Sequence, residues 1–250
     1  MHNPMHNLGH TRSDRQLTHL LQTPDTFVGM PLPGFDSVTV IVHAAPAIGA
    51  AFSQYTADFE PGGSLGPAHG QRFLYVLEGA ITVSLGSQTH ELAPGGYAHL
   101  PPNQQHTVKA SARSRVAVIE KPAIALEGVV PAPALFGTEQ AVVSQPLGGD
   151  SALQVKQLLP TAPGFDYAVN TMCYQPGASL ALVEIHVMEH GLLMLEGGGI
   201  YRLGNCWYPV QTGDFIWMAP YCPQWFGALG KIPAKYLIYK DWNRHPLPGR

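Results

Sequence analysis

One carboxylate, two imidazoles and one carboxamide carry the most specific chemical signal in this sequence: Glu184, His186, His190 and Gln224. The first three fall in the stretch VEIHVMEHGLLMLEGGG. In an extended strand, residues two apart share a face, so Glu184 and His186 are expected to point together. A tight turn through Val187–Glu189 would then bring His190 back from the facing strand to the same point. Gln224 follows 34 residues after His190, at the end of the next hairpin pair. A mixed O/N set of this kind suits Mn²⁺ or Fe²⁺ and leaves Zn²⁺ open, while the lack of a thiolate argues against a structural zinc site. Glu189 is an alternative ligand, but it alternates out of phase with His190 and is expected to point away. The same residues also have an ordinary reading. E-x-H is a common triplet, and a histidine on a half-buried strand is often simply hydrogen-bonded, so spacing alone leaves the question open.

The elements that must position these groups repeat once along the chain. FLYVLEGAITVSLGSQTHELAPGGYAHLPPNQQHTV (73–108) lies without a gap over GLLMLEGGGIYRLGNCWYPVQTGDFIWMAPYCPQWF (191–226), at an offset of 118 residues. Upstream, FEPGGS (59–64) pairs with YQPGAS (174–179). Each unit reads as strand, turn, strand, with β-branched or aromatic runs broken by Gly and Pro. A duplicated all-β unit of this size predicts two small barrels or sandwiches packed side by side. The units divide as a lead-in over 1–30, a first barrel over 31–125, a Pro- and Ala-rich connector with the first strands of the second unit over 126–160, and a second barrel over 161–250. The lead-in reads as a mobile segment or an arm, in which RQLTHLLQT could also form a short helix.

The offset shows that the first unit lacks an equivalent ligand set. Arg72 falls opposite His190, His106 opposite Gln224, Gly66 opposite Glu184 and Ala68 opposite His186. His69 is displaced by one residue and is the nearest substitute. Two imidazoles facing a guanidinium make a poor divalent-cation site, because like charges repel. The first unit is therefore expected to serve as a packing partner. His2, His6, His10, His19 and His43 are read as preceding the first barrel without a ligand role.

Composition narrows the classes. Hydrophobic residues make up 45% of the 250, enough for a substantial core. Charged residues are only 12%, well below the usual share of about 25%, so part of the surface is expected to be covered by a second copy in a homo-oligomer. The 27 glycines and 23 prolines favour short strands joined by turns over long helices. A net charge of −3 offers no basic face for nucleic acid, and no apolar run approaches a signal peptide or membrane span. Cys173, Cys206 and Cys222 are odd in number and not spaced for zinc, and read as small reduced core residues of a cytoplasmic protein.

With E-x-H-x3-H-x6-G over Glu184, His186, His190 and Gly197, and a second element from Gly213 to Gln224, the chain resembles a cupin. It departs from the usual pattern in placing Glu184 where a histidine is common, His190 where the glutamate is common, and Gln224 where the last histidine is common. The second half is similar to the (S)-ureidoglycine aminohydrolase family through GFD (164–166), PGAS (176–179), EIHVMEHG (184–191), GIYRLGNCWYPVQTGDFIWM (199–218) and YKDWNR (239–244). The first half follows it more loosely through FLYVLEGAITV and GGYAHLPP. The resemblance covers roughly residues 20–245 and implies an all-β bicupin, two tandem jelly-roll barrels. It also implies Mn²⁺-dependent hydrolysis of a small ureido acid, (S)-ureidoglycine, to (S)-ureidoglycolate and ammonia in purine (allantoin) breakdown.

The family's ligands carry over onto Glu184, His186, His190 and Gln224, and its active-site tyrosine and lysine onto Tyr201 and Lys240. In KYLIYKDW, alternation puts Tyr236, Ile238 and Lys240 on one face, where Lys240, together with Glu184, could move protons and contact substrate. Without the resemblance, Lys240 reads first as a solvated strand-end lysine, and Tyr201 equally as an interfacial tyrosine. Asp241, Asn243 and Arg244 are expected to tie down the last strand. Trp207, Trp217, Trp225, Tyr208, Phe215 and Phe226 are expected in core and interface. The competing functions are another metal-dependent cupin chemistry, such as a dioxygenase or decarboxylase, and a non-catalytic metabolite-binding bicupin.

Overall fold

Runs such as QRFLYVLE and AKYLIYKD are rich in aromatic and aliphatic residues, nearly continuously buried, and follow a Gly or Pro; both form strands (Gln71–Glu78 and Ala234–Asp241). The computed structural model describes residues 10–68 and 70–244. These form three antiparallel sheets, with three short 3-10 turns and no helix long and apolar enough to cross a membrane among the described residues.

In the first barrel the spatial order is Leu135–Thr138, Gly96–Leu100, Gln71–Glu78, Ser114–Lys121, Ser53–Ser64, His106–Lys109, Ile81–Leu85 and Gln88–Leu92. Asp36–Ala44 joins on Ser53–Ser64. In the second barrel the large sheet runs Asp14–Arg15, His19–Gln22, Phe215–Met218, His190–Glu196, Ala234–Asp241, Tyr167–Tyr174, Asp150–Gln157 and Gln145–Leu147. Facing it is a three-stranded sheet of Cys206–Gln211, Gly198–Leu203 and Gln224–Ala228.

Two connections cross between the barrels. The RQLTHLLQT stretch of the lead-in is not helical. Asp14–Arg15 and His19–Gln22 form a hairpin whose second strand pairs with Phe215–Met218, so the arm belongs to the second barrel's sheet. The apolar side chain of Leu21 is fully buried there, and edge pairing satisfies backbone groups that the ends of a short isolated helix would leave unpaired. Conversely, Leu135–Thr138 of the connector pairs with Gly96–Leu100 in the first barrel. His43, read from sequence as preceding the first barrel, lies within its strand Asp36–Ala44.

The core has three parts. Val40, Leu74, Val83 and Val118 fill the first barrel, while Leu192, Met194, Tyr236 and Phe226 fill the second. Phe52, Phe73, Tyr167, Trp217 and Tyr239 form an apolar layer between the two. Thus Trp217 and Phe215 lie between the barrels, and Phe226 and Tyr208 inside the second. Trp207 is exposed, and Trp225 donates its indole N–H to the Leu180 carbonyl at 2.7 Å. The three cysteines are all free, with Cys222 buried in the second core.

Candidate metal centre and active site

The segment carrying Glu184 and His186 is not a regular strand. It runs extended beside Gln224–Ala228 and touches it at two bridges, Ser179 with Gly227 and Glu184 with Gln224. Glu184 and Gln224 exchange both backbone hydrogen bonds, at 2.8 and 2.9 Å. Such a pair holds its Cα atoms about 5.5 Å apart with both side chains on one face. A bend at residues 187–188 then leads into His190, the first residue of His190–Glu196. The outcome is a cavity of about 140 Å³ inside the second barrel, lined by Glu184, His186, His190, Gln224, Tyr201 and Lys240 with Asn170, Met172, Met188, Leu180, Tyr236 and Ile238. All six residues singled out from sequence face one small chamber, sized for an ion and a small molecule.

Glu184 Oε2 lies 3.0 Å from His186 Nε2, and the His186 and His190 rings meet nearly edge to face with centroids 5.4 Å apart. His190 is buried, and neither of its ring nitrogens makes a hydrogen bond of ordinary geometry. Burial first, then the nearby His186 and Lys240, drives its pKa down to about 3, against weak support for the protonated ring from the Tyr239 backbone. The ring is therefore neutral at neutral pH, the form that donates a lone pair to a metal. An unpartnered, neutral, buried imidazole is costly unless something accepts that lone pair. A carboxylate, two imidazoles and an amide oxygen fit a divalent cation of the Mn²⁺/Fe²⁺/Zn²⁺ type on donor chemistry. Tyr201, buried, donates its hydroxyl to Gln224 Oε1 at 3.3 Å and so orients the amide oxygen.

Lys240 pairs in register with His190 and lines the same chamber. Its Nζ sits 4.6 Å from the centre of the Trp242 ring, a partner that strand alternation does not reveal. Burial pushes the ammonium below the usual lysine range, and Glu184 pulls it partly back. Glu189 does point away. Its carboxylate accepts the Ala51 N–H from the first barrel at 2.8 Å and the Trp217 indole N–H at 3.1 Å. Burial, with Asp241 adding to it against the Trp217 hydrogen bond, raises its pKa to about 7. Asn243 donates to three carbonyls, of Thr161, Ala162 and Phe165, and Arg244 to those of Ile124 and Pro163, tying down the end of the last strand.

In the first barrel the offset positions meet, but differently. Arg72 is buried; its Nε donates to Glu120 Oε1 at 2.7 Å, its Nη2 to the Gly66 carbonyl at 2.9 Å, and its Nη1 lies 3.1 Å from His106 Nε2. His106 Nδ1 in turn faces the Gln104 carbonyl at 2.9 Å, so Nδ1 carries the proton and Nε2 accepts from Arg72. Tyr55 donates to the same Glu120 oxygen. A guanidinium thus holds together the groups around the position that His190 takes in the second barrel. The larger cleft beside it, about 1110 Å³, is open and walled mostly by Gly, Pro and amide side chains. His69 lies outside the described residues, as do His2 and His6.

Two antiparallel barrels in tandem, one enclosing a mixed carboxylate, imidazole and amide chamber, define a protein of the two-domain cupin class. The cupin domain model matches residues 55–120 and 170–239, one copy per barrel. A rice (Oryza sativa subsp. japonica) protein named "Probable (S)-ureidoglycine aminohydrolase" is 41% identical over 242 residues, covering 96% of this chain and 78% of the relative. The (S)-ureidoglycine aminohydrolase of Escherichia coli (strain K12) is 33% identical over 231 residues, covering 90% and 88%. Among solved structures, the Escherichia coli protein Ylba superposes with a TM-score of 0.85 at 29% identity, over 96% of this chain and 98% of that one. The chain belongs to the (S)-ureidoglycine aminohydrolase family of cupin proteins.

Proposed function

We propose that this protein hydrolyses (S)-ureidoglycine to (S)-ureidoglycolate and ammonia, with a divalent cation, Mn²⁺ by preference, held by Glu184, His186, His190 and Gln224. The observation that carries this reading is His190, buried and without a hydrogen bond of ordinary geometry at either ring nitrogen among the described residues, sharing one partly open chamber with Glu184, His186 and Gln224. When bound, the cation supplies Lewis acidity and a template for the carbon that bears the amine. Lys240, its proton affinity reduced by burial, delivers a proton to the departing amine and regains one from the incoming water; Glu184 is the second proton-holding group in the chamber. Tyr201 fixes the Gln224 amide and presents its phenol at the substrate's edge. Met172, Leu180 and Ile238 give the chamber an apolar wall. The reaction balances as substrate plus one water giving the hydroxy acid plus ammonia.

The first barrel, stapled by Arg72, Glu120 and His106, serves in this reading as scaffold. A charge-poor surface, together with exposed Leu182, Ile185 and Tyr221 near the site-bearing loop, supports assembly with further copies. Three unpaired cysteines suit a reducing compartment such as the cytoplasm. The test is a coupled assay in which allantoate and its amidohydrolase generate ureidoglycine in situ, with ammonia and ureidoglycolate followed before and after chelation and Mn²⁺ return. Metal-dependent acceleration yielding one enantiomer is expected. No acceleration over the spontaneous rate by metal-loaded protein would refute the proposal.

A further inference from the structure

The chamber has a second unsatisfied group, away from the ligand set. Asn170 is 6% exposed, lines the chamber, and its Oδ1 is buried without a hydrogen-bond partner among the described residues. It sits on Tyr167–Tyr174, the strand beside the one that carries Lys240. In register, His190, Lys240 and Ala168 form one row across the sheet, and Leu192, Ile238 and Asn170 form the next row inward. Strand and residue spacings put the Asn170 Cα about 8 Å from that of Lys240 and about 12 Å from that of His190, with all three side chains turned into the same cavity.

The surroundings of Asn170 make its amide conspicuous. Met172, Leu180, Val155 and Ile238 supply an apolar wall. The nearby hydroxyls are already engaged: Tyr236 with Tyr174 at 2.8 Å, and Tyr201 with Gln224. A polar ligand end entering here would lose its water and find one carboxamide. Isolated polar groups buried in this way are unfavourable until something pairs with them.

We propose that Asn170 is the specificity residue that reads the ureido end of the substrate. This rests on the activity proposed above and assigns the far half of the same chamber. A carboxamide and a urea are complementary. Oδ1 accepts a ureido N–H while Nδ2 donates to the ureido carbonyl, a two-point contact that a hydroxy acid or amino acid whose polar groups are already held near His190 and Lys240 has no group left to make. From the leaving amine to the terminal ureido nitrogen the substrate spans about 5 Å on ordinary bond lengths, so a molecule whose amine and carboxylate are held near His190 and Lys240 projects its ureido group over Ile238 toward Asn170.

The test separates recognition from turnover. On Mn²⁺-loaded protein, calorimetry would compare hydantoate, which carries carboxylate and ureido group without the amine, with glycolate, which carries no ureido group. Asn170→Leu and Asn170→Ser should each weaken hydantoate roughly 10-fold or more while glycolate stays within about twofold and Mn²⁺ content is unchanged. Equal weakening of both ligands, or none of either, would overturn the assignment, as would wild-type protein that holds Mn²⁺ but ignores hydantoate. Wild-type protein that fails to turn over ureidoglycine yet binds hydantoate in an Asn170-dependent way would instead refute the proposed reaction and leave this assignment standing.

Discussion

His43 makes this protein acid-sensitive, and the size of the effect can be worked out. Its ring is 4% exposed, stacked on Phe215 of the second barrel with centroids 4.9 Å apart and edge-on to Phe27. Nδ1 lies 2.8 Å from Gln22 Oε1 on the arm, and Nε2 2.8 Å from Thr56 Oγ1 in the first barrel. One imidazole therefore joins the arm and both barrels. Burial, helped slightly by Arg115, depresses its pKa from 6.5 to about 3. The folded protein binds fewer protons here than the unfolded chain, so the contribution is intact above the unfolded pKa and is lost as pH falls through it. Between pH 7.5 and pH 5.0 the loss is about 2 kcal/mol, and any folded value below about 4 gives nearly the same result, because the unfolded chain takes up the proton first. His99, held at 2.7 Å by the Tyr167 hydroxyl and depressed to about 4 by burial, adds about 2 kcal/mol more by the same reasoning. His43→Gln keeps a hydrogen-bonding side chain that cannot charge. Urea unfolding of chelated wild type and variant at the two pH values should show a pH-dependent stability loss smaller by about 2 kcal/mol in the variant, whatever its baseline. An unchanged difference between pH 7.5 and 5.0 would refute the argument.

Three further outcomes follow from the geometry. Gln224→Leu should strip the divalent metal, measured by elemental analysis after dialysis, whereas Lys240→Met should keep it and lower kcat by about 100-fold or more; metal-replete Lys240→Met with normal ammonia release would dismiss the lysine. Gly191→Ala should cost about 1–3 kcal/mol in chemical denaturation, because a Cβ there would overlap Gln54 Oε1 and sit 2.7 Å from the Phe52 ring, both across the barrel interface. Arg12→Ala should leave Asp214, fully buried and bonded to Arg12 at 2.6 and 2.8 Å, with the Gln211 N–H as its remaining partner, lowering stability by about 1–3 kcal/mol and loosening the arm in amide exchange.

The sequence by itself determined the all-β class, the duplication, the residues that converge on the chamber and the outward turn of Glu189. The class, the duplication and the phase of Glu189 are written in a local code of alternation, Gly and Pro punctuation and a repeat at constant offset. The spacing of Glu184, His186, His190 and Gln224 marked them as candidate ligands, and the placing of Tyr201 and Lys240 at the site came from the family resemblance. The tertiary structure alone decided which distant groups meet. Glu189 finds the Ala51 N–H across 138 residues, and Arg12 finds Asp214 across 202. The arm became a strand because an open edge at Phe215–Met218 offered backbone partners that a local helical reading of RQLTHLLQT cannot weigh. Asn170, in phase with Ala168 and Met172, was a polar residue on an inward face, yet only the packed structure shows that its Oδ1 finds no partner among the described residues, with Tyr236 bonded to Tyr174 and Tyr201 to Gln224. Periodicity encodes which way a side chain points, whereas its partner is set by the closure of two barrels on one another, a non-local event that no short window of sequence contains.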